Sequence, residues 1–124
     1  MSRSCATLGM ASQVTKGERM VIEWLKIKVD PQLRETYIQT DAEIWNSFLA
    51  KYPGFLGKEV WINPDAADEI VLVIRWANQA AWDAVPAPEL EAIEQQFDRA
   101  MGQGAYAIVE GRGYQIRKFP QSAP

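Results

Sequence analysis

Apolar side chains fall on alternate positions at Val21, Leu25, Ile27 and Val29 within VIEWLKIKV, a run rich in β-branched and aromatic residues. This period of two predicts a first strand over residues 21–29. Asp30-Pro31 supplies an N-cap and a proline at the first helical position, where the missing N–H costs nothing. The period then lengthens: Leu33, Tyr37, Ile44 and Phe48 form a stripe that Ile38, Trp45, Leu49 and Tyr52 widen. A first helix is therefore expected to about Lys51, ended by YPGF. GKEVWIN and EIVLVIRW are two β-rich runs joined by the polar PDAAD, which reads as a hairpin. Ile70, Leu72, Ile74 and Trp76 make one apolar face of the second run, and Glu69, Val71, Val73 and Arg75 a mixed one.

Asn78 caps a short helix over residues 79–84, and VPAP breaks it before a second helix with Leu90, Ile93, Phe97 and Met101 on one face. YAIVE and GYQIRKF give a last strand, with a bulge or kink expected at Gly111-Arg112-Gly113. The order strand, helix, strand, strand, helix, strand is that of a ferredoxin-like βαββαβ sandwich. It predicts an α+β fold with an antiparallel four-stranded sheet and helices on one face. The other face would expose Trp61, Val71 and Val73, and a two-fold homodimer with sheets face to face would cover it.

Residues 1–19 have no repeating apolar face and read as a flexible tail, residues 20–119 as one domain, and residues 120–124 as a second tail. Thr7, Gly9 and Ser12 interrupt the only stretch that resembles a secretory signal. Nowhere do about 18 apolar residues run together, so no membrane span is expected. Net charge is -3, which gives no basic footprint for nucleic acid. Cys5 is the single cysteine and histidine is absent. The usual zinc ligands, the usual haem ligand and the usual near-neutral base are therefore missing, and neither metal nor cofactor is expected. A cytoplasmic location follows as the default.

Four steps along the helix from Tyr37 lies Asp41, a carboxylate on the apolar stripe. Buried without a partner, its pKa would rise and it would serve as a proton acceptor, and Asp41→Asn would stabilise the fold. Turned toward solvent or a neighbouring arginine, it would do neither. Trp24, Tyr37, Trp45, Trp76 and Trp82 read either as core or as the wall of an aromatic pocket. Strand one runs antiparallel to strand three, so Glu23 and Arg75 are expected to meet, either as a structural pair or with Arg75 contacting a substrate anion. Asp65, Asp68 and Glu69 lack the spacing of a calcium loop and read as a surface turn.

PGFLGKEVW, then VLVIRW, then the capped ANQAAWDAV together resemble the antibiotic biosynthesis monooxygenase-like, dimeric α+β barrel superfamily, and most closely its small cyanobacterial members. The resemblance spans residues 20–119 and implies a dimer with a pocket in each subunit between sheet and helices. Members use that pocket for cofactor-free oxidation of quinol-like molecules or for haem degradation. Haem-degrading members carry an asparagine on the first strand, a tryptophan after strand three and a histidine. Here Glu23-Trp24 and Val85 fall near the first two positions and no histidine exists, so haem degradation by that route is not expected. Two functions stand: cofactor-independent oxidation of a small aromatic or quinone-like molecule with Asp41 as base, or a non-catalytic dimeric small-ligand-binding or structural module.

Overall fold

The computed structural model describes residues 19–118; the tails expected at residues 1–19 and 120–124 lie outside them except for Arg19. Four strands, β1 (Val21–Val29), β2 (Phe55–Asn63), β3 (Ala66–Trp76) and β4 (Tyr106–Gln115), form one sheet in the order β2-β3-β1-β4. All neighbours are antiparallel. This is the ferredoxin-like arrangement.

Between β1 and β2 the chain is helical from Pro31 to Leu49, but not uniformly so. A 3₁₀ turn at Pro31–Leu33, capped by the Asp30 carboxylate accepting from Gln32 N, leads into α1 (Arg34–Asp41). A π turn at Ala42–Asn46 follows, and α2 (Ser47–Leu49) ends the segment. The helix thus stops two residues before Lys51. After β3 come α3 (Gln79–Asp83), whose N-cap Asn78 accepts from Ala81 N, and α4 (Ala87–Met101).

The β2–β3 hairpin is tighter than its sequence suggests. Only Pro64 and Asp65 lie outside the strands, and the Asn63 side chain accepts from Asp65 N at 2.9 Å. Gly111 and Gly113 cause no kink; the register shift on β4 falls instead at Val109, between the pairs Ile27↔Ile108 and Lys26↔Glu110. Both glycines face the helices, where an added Cβ would touch Leu25 and the Trp82 ring respectively, each at 3.3 Å.

Two apolar clusters fill the layer between sheet and helices. One joins Val21, Ile74 and Trp76 to Phe48, Leu49 and Val85; the other joins Ile27, Ile70 and Leu72 to Tyr37 and Phe97. Tyr37, Phe97 and Tyr106 meet edge to face with centroids 5.2–5.3 Å apart, an arrangement that adds to simple burial. On the opposite face Val71 and Val73 are buried, and the apolar exposure expected of them falls to Trp61 and Tyr114.

Candidate functional site

A cavity of about 470 Å³ opens between the sheet and the helices, within the usual size range of small-molecule sites. Its walls combine indoles, a phenol and aliphatic side chains: Trp45 from the π turn, Trp76 from β3, Trp82 from α3, Tyr37 from α1, with Leu25, Ile27 and Leu72 as the floor. Glu23, Asp41 and Lys58 also line it, and Asp83 and Glu94 complete its charged residues.

Local backbone irregularities aim these side chains. In a straight α-helix residues four apart advance about 40° beyond a full turn, so Tyr37, Asp41, Trp45 and Leu49 would drift around the axis. The wide turn at Ala42–Asn46 takes up that excess, and all four line the cavity. On β2, Phe55 pairs with Trp76 and Gly57 with Arg75, leaving Leu56 unmatched. This bulge, with Gly57 at φ 140°, turns the next residue inward. Lys58 consequently pairs with Ile74 on the helix-facing side.

Lys58 and Asp41 form a buried ion pair, each side chain only 2% exposed. Nζ donates to Asp41 Oδ1 at 2.8 Å and sits 2.7 Å from Oδ2. Burial raises the Asp41 carboxyl, and the Lys58 charge offsets part of that rise. Glu23 accepts from the Trp76 indole N–H at 3.2 Å. Its carboxyl is also raised, first by burial, against the opposing pull of the Trp76 hydrogen bond and the Lys58 charge. Burial and the neighbouring Asp41 charge push the Tyr37 phenol well up, so it stays protonated at neutral pH.

The residues singled out from sequence separate into two groups. Asp41, Tyr37, Trp45, Trp76 and Trp82 share the cavity wall. Trp76 is also 1% exposed, so core and wall are one role there. Asp41 reaches neither solvent nor an arginine, and the premise of an unpartnered buried carboxylate does not hold. Trp24 and Arg75 are corrected: neither lines the cavity. Glu23 pairs with Ile74, whereas Arg75 pairs with Ile22 and Trp24 with Val73. Side chains alternate along a strand, so Glu23 points to the helices and the other two to the opposite face. Arg75 there approaches Glu59 at 3.6 Å.

Lys58 is the site residue that the strand pattern hid. Counting by twos from Phe55 places it outward; counting back from Val60, which pairs with Leu72, places it inward. Only the bulge reconciles the two counts. Among the described residues no three His, Cys, Asp or Glu side chains gather to hold a metal, and no helix is long and apolar enough to cross a membrane.

Comparison with known proteins gives a consistent relation. No curated protein sequence matches the chain. Several solved structures do. A monooxygenase encoded by ActVA-Orf6 of Streptomyces coelicolor, solved with nanaomycin D, superposes with a TM-score of 0.65 at 14% identity, covering 86% of this chain and 95% of its own. SnoaB, a cofactor-independent oxygenase from Streptomyces nogalater, gives 0.54 at 16% identity, covering 86% and 98%. A protein of the antibiotic biosynthesis monooxygenase type from Chloroflexus aurantiacus J-10-fl gives 0.61 at 21% identity, covering 82% and 97%. At these identities the structures establish the shared fold. The sequence profile of the family described as antibiotic biosynthesis monooxygenase matches residues 20–87, more than half of the 124 residues. The chain belongs to the antibiotic biosynthesis monooxygenase family.

Proposed function

We propose that the protein is a cofactor-independent oxygenase for a small, neutral phenolic or quinone-like molecule bound in the cavity between sheet and helices. The observation that carries this reading is the buried Lys58–Asp41 pair set in an aromatic wall. Indole and phenol faces suit a flat ring. Asp41 holds the Lys58 side chain in place, and the ammonium favours the oxyanion that forms when a ring hydroxyl ionises. An ionised, electron-rich ring is able to reduce dioxygen directly. Family membership and the oxygenase relatives support the same chemistry.

The protein in this reading is a homodimer whose sheets pair through the face bearing Trp61, leaving one cavity per subunit. A binding module without chemistry is the competing reading, favoured by the engagement of both Asp41 oxygens. Oxygen uptake with 1-naphthol, a two-ring phenol smaller than the cavity, separates them. The oxygenase consumes oxygen after treatment with chelator and loses the activity in Lys58→Met. A module binds 1-naphthol calorimetrically and consumes none.

A further inference from the structure

Two of the four carboxylates that line the cavity, Asp41 and Glu23, are held under different constraints. Both Asp41 oxygens lie within 2.8 Å of Lys58 Nζ, so a proton arriving there must compete with an ammonium. Glu23 accepts one hydrogen bond, from the Trp76 N–H to Oε1, and feels the Lys58 charge; among the described residues no hydrogen bond reaches Oε2. Its neighbour on the β4 side is Gly113, which brings no side chain of its own. The space in front of β1 at this point is therefore left to the Trp82 ring and to whatever occupies the cavity.

We propose that Glu23 is the proton acceptor of this site, its Oε2 taking the hydroxyl proton of a phenolic substrate whose oxygen faces Lys58. The assignment rests on the oxygenase reading above. Trp76 is then a positioning residue: its indole holds the carboxylate in one orientation from a fully buried ring. The charged and titratable groups sharing the cavity with Glu23 are Lys58, Asp41, Asp83, Glu94, Tyr37 and Tyr106. Burial raises both the Tyr37 and Tyr106 phenols, which leaves them protonated at neutral pH. A raised Glu23 carboxyl is a stronger base than an ordinary one, which suits abstraction from a weakly acidic phenol.

With 1-naphthol the chemistry balances with dioxygen as the only oxidant. Glu23 takes the hydroxyl proton. The naphtholate passes two electrons to dioxygen, one at a time, and a bond forms between C4 and oxygen. Glu23 returns its proton to the distal oxygen, giving a C4 hydroperoxide. It then removes the C4 proton as the O–O bond breaks; hydroxide leaves, accepts that proton and becomes water. One naphthol and one dioxygen give one 1,4-naphthoquinone and one water.

The test is the pH profile of oxygen uptake with 1-naphthol for the parent, Glu23→Gln and Glu23→Ala, the last with and without formate. General-base assistance is worth roughly 10²–10⁴-fold. The expected result is a loss of kcat of that order in Glu23→Gln with KM changed less than about threefold. The acid limb of the parent profile should vanish, and formate should restore part of the Glu23→Ala rate. Near-parental kcat with the limb intact in Glu23→Gln overturns the Glu23 assignment and leaves the oxygenase reading standing. Loss in both variants without formate rescue, in folded protein by Trp fluorescence, assigns Glu23 a structural role and also overturns it. No uptake by the parent overturns both.

Discussion

Lys58 and Asp41 illustrate how little a buried charge says until its partner is known. The pair is shielded from water on both sides of the contact, and removing one member of such a pair leaves the other buried and uncompensated. Asp41→Asn should therefore destabilise the protein at pH 7 by about 3–5 kcal/mol, measured by urea unfolding. Lys58→Met in the same chain should recover part of that loss, because it removes the stranded ammonium. Glu23 obeys the opposite logic. Its folded pKa lies above the ordinary 4.5, chiefly through burial, so protonation favours the fold. That contribution is complete below the ordinary value and is lost as pH climbs through the raised folded one. Glu23→Gln, permanently neutral and nearly isosteric, should melt with the parent at pH 4 and above it at pH 8. Equal melting temperatures at pH 8 would contradict the burial assigned to Glu23.

Helix and strand irregularities decide which side chains reach the cavity, and they mark where sequence reading stops. Strand and helix identity followed from periods of two and about 3.6, and the order of elements then limited the topology to one familiar arrangement. Asp41, Trp45 and Trp82 could be placed on helices by the same counting. Lys58 could not, because a one-residue bulge at Leu56 reverses the alternation. Arg75 was misplaced for a related reason: antiparallel strands align Glu23 with Ile74, one residue short of it. Gly54 shows a close approach that sequence spacing conceals. A Cβ there would lie 2.2 Å from the Ala81 Cβ, and Gly54 O accepts from Ala77 N at 2.8 Å. The glycine thus lets α3 dock, and α3 brings Trp82 to the cavity. Gly54→Ala should cost about 1–3 kcal/mol in urea unfolding by overpacking, and Ala81→Gly in the same chain should restore part of it. Additive losses in the double variant would contradict the docking account.

The whole molecule is a sheet with helices and a cavity on one side and, on the other, Trp61 and Tyr114 each about half exposed. A self-complementary two-fold contact through that side would remove this exposure. Sedimentation at micromolar concentration should therefore give a dimer, and Trp61→Glu a monomer; a monomeric parent would contradict the pairing. Cavity and sheet are positioned by the same register. The most direct measurement is turnover of 1-naphthol under ¹⁸O₂ by chelator-treated protein, with the product followed by mass spectrometry. The account predicts 1,4-naphthoquinone carrying one ¹⁸O atom, with the second ¹⁸O recovered in water. Saturable binding of 1-naphthol without any ¹⁸O in a product would contradict it and leave a binding module in its place.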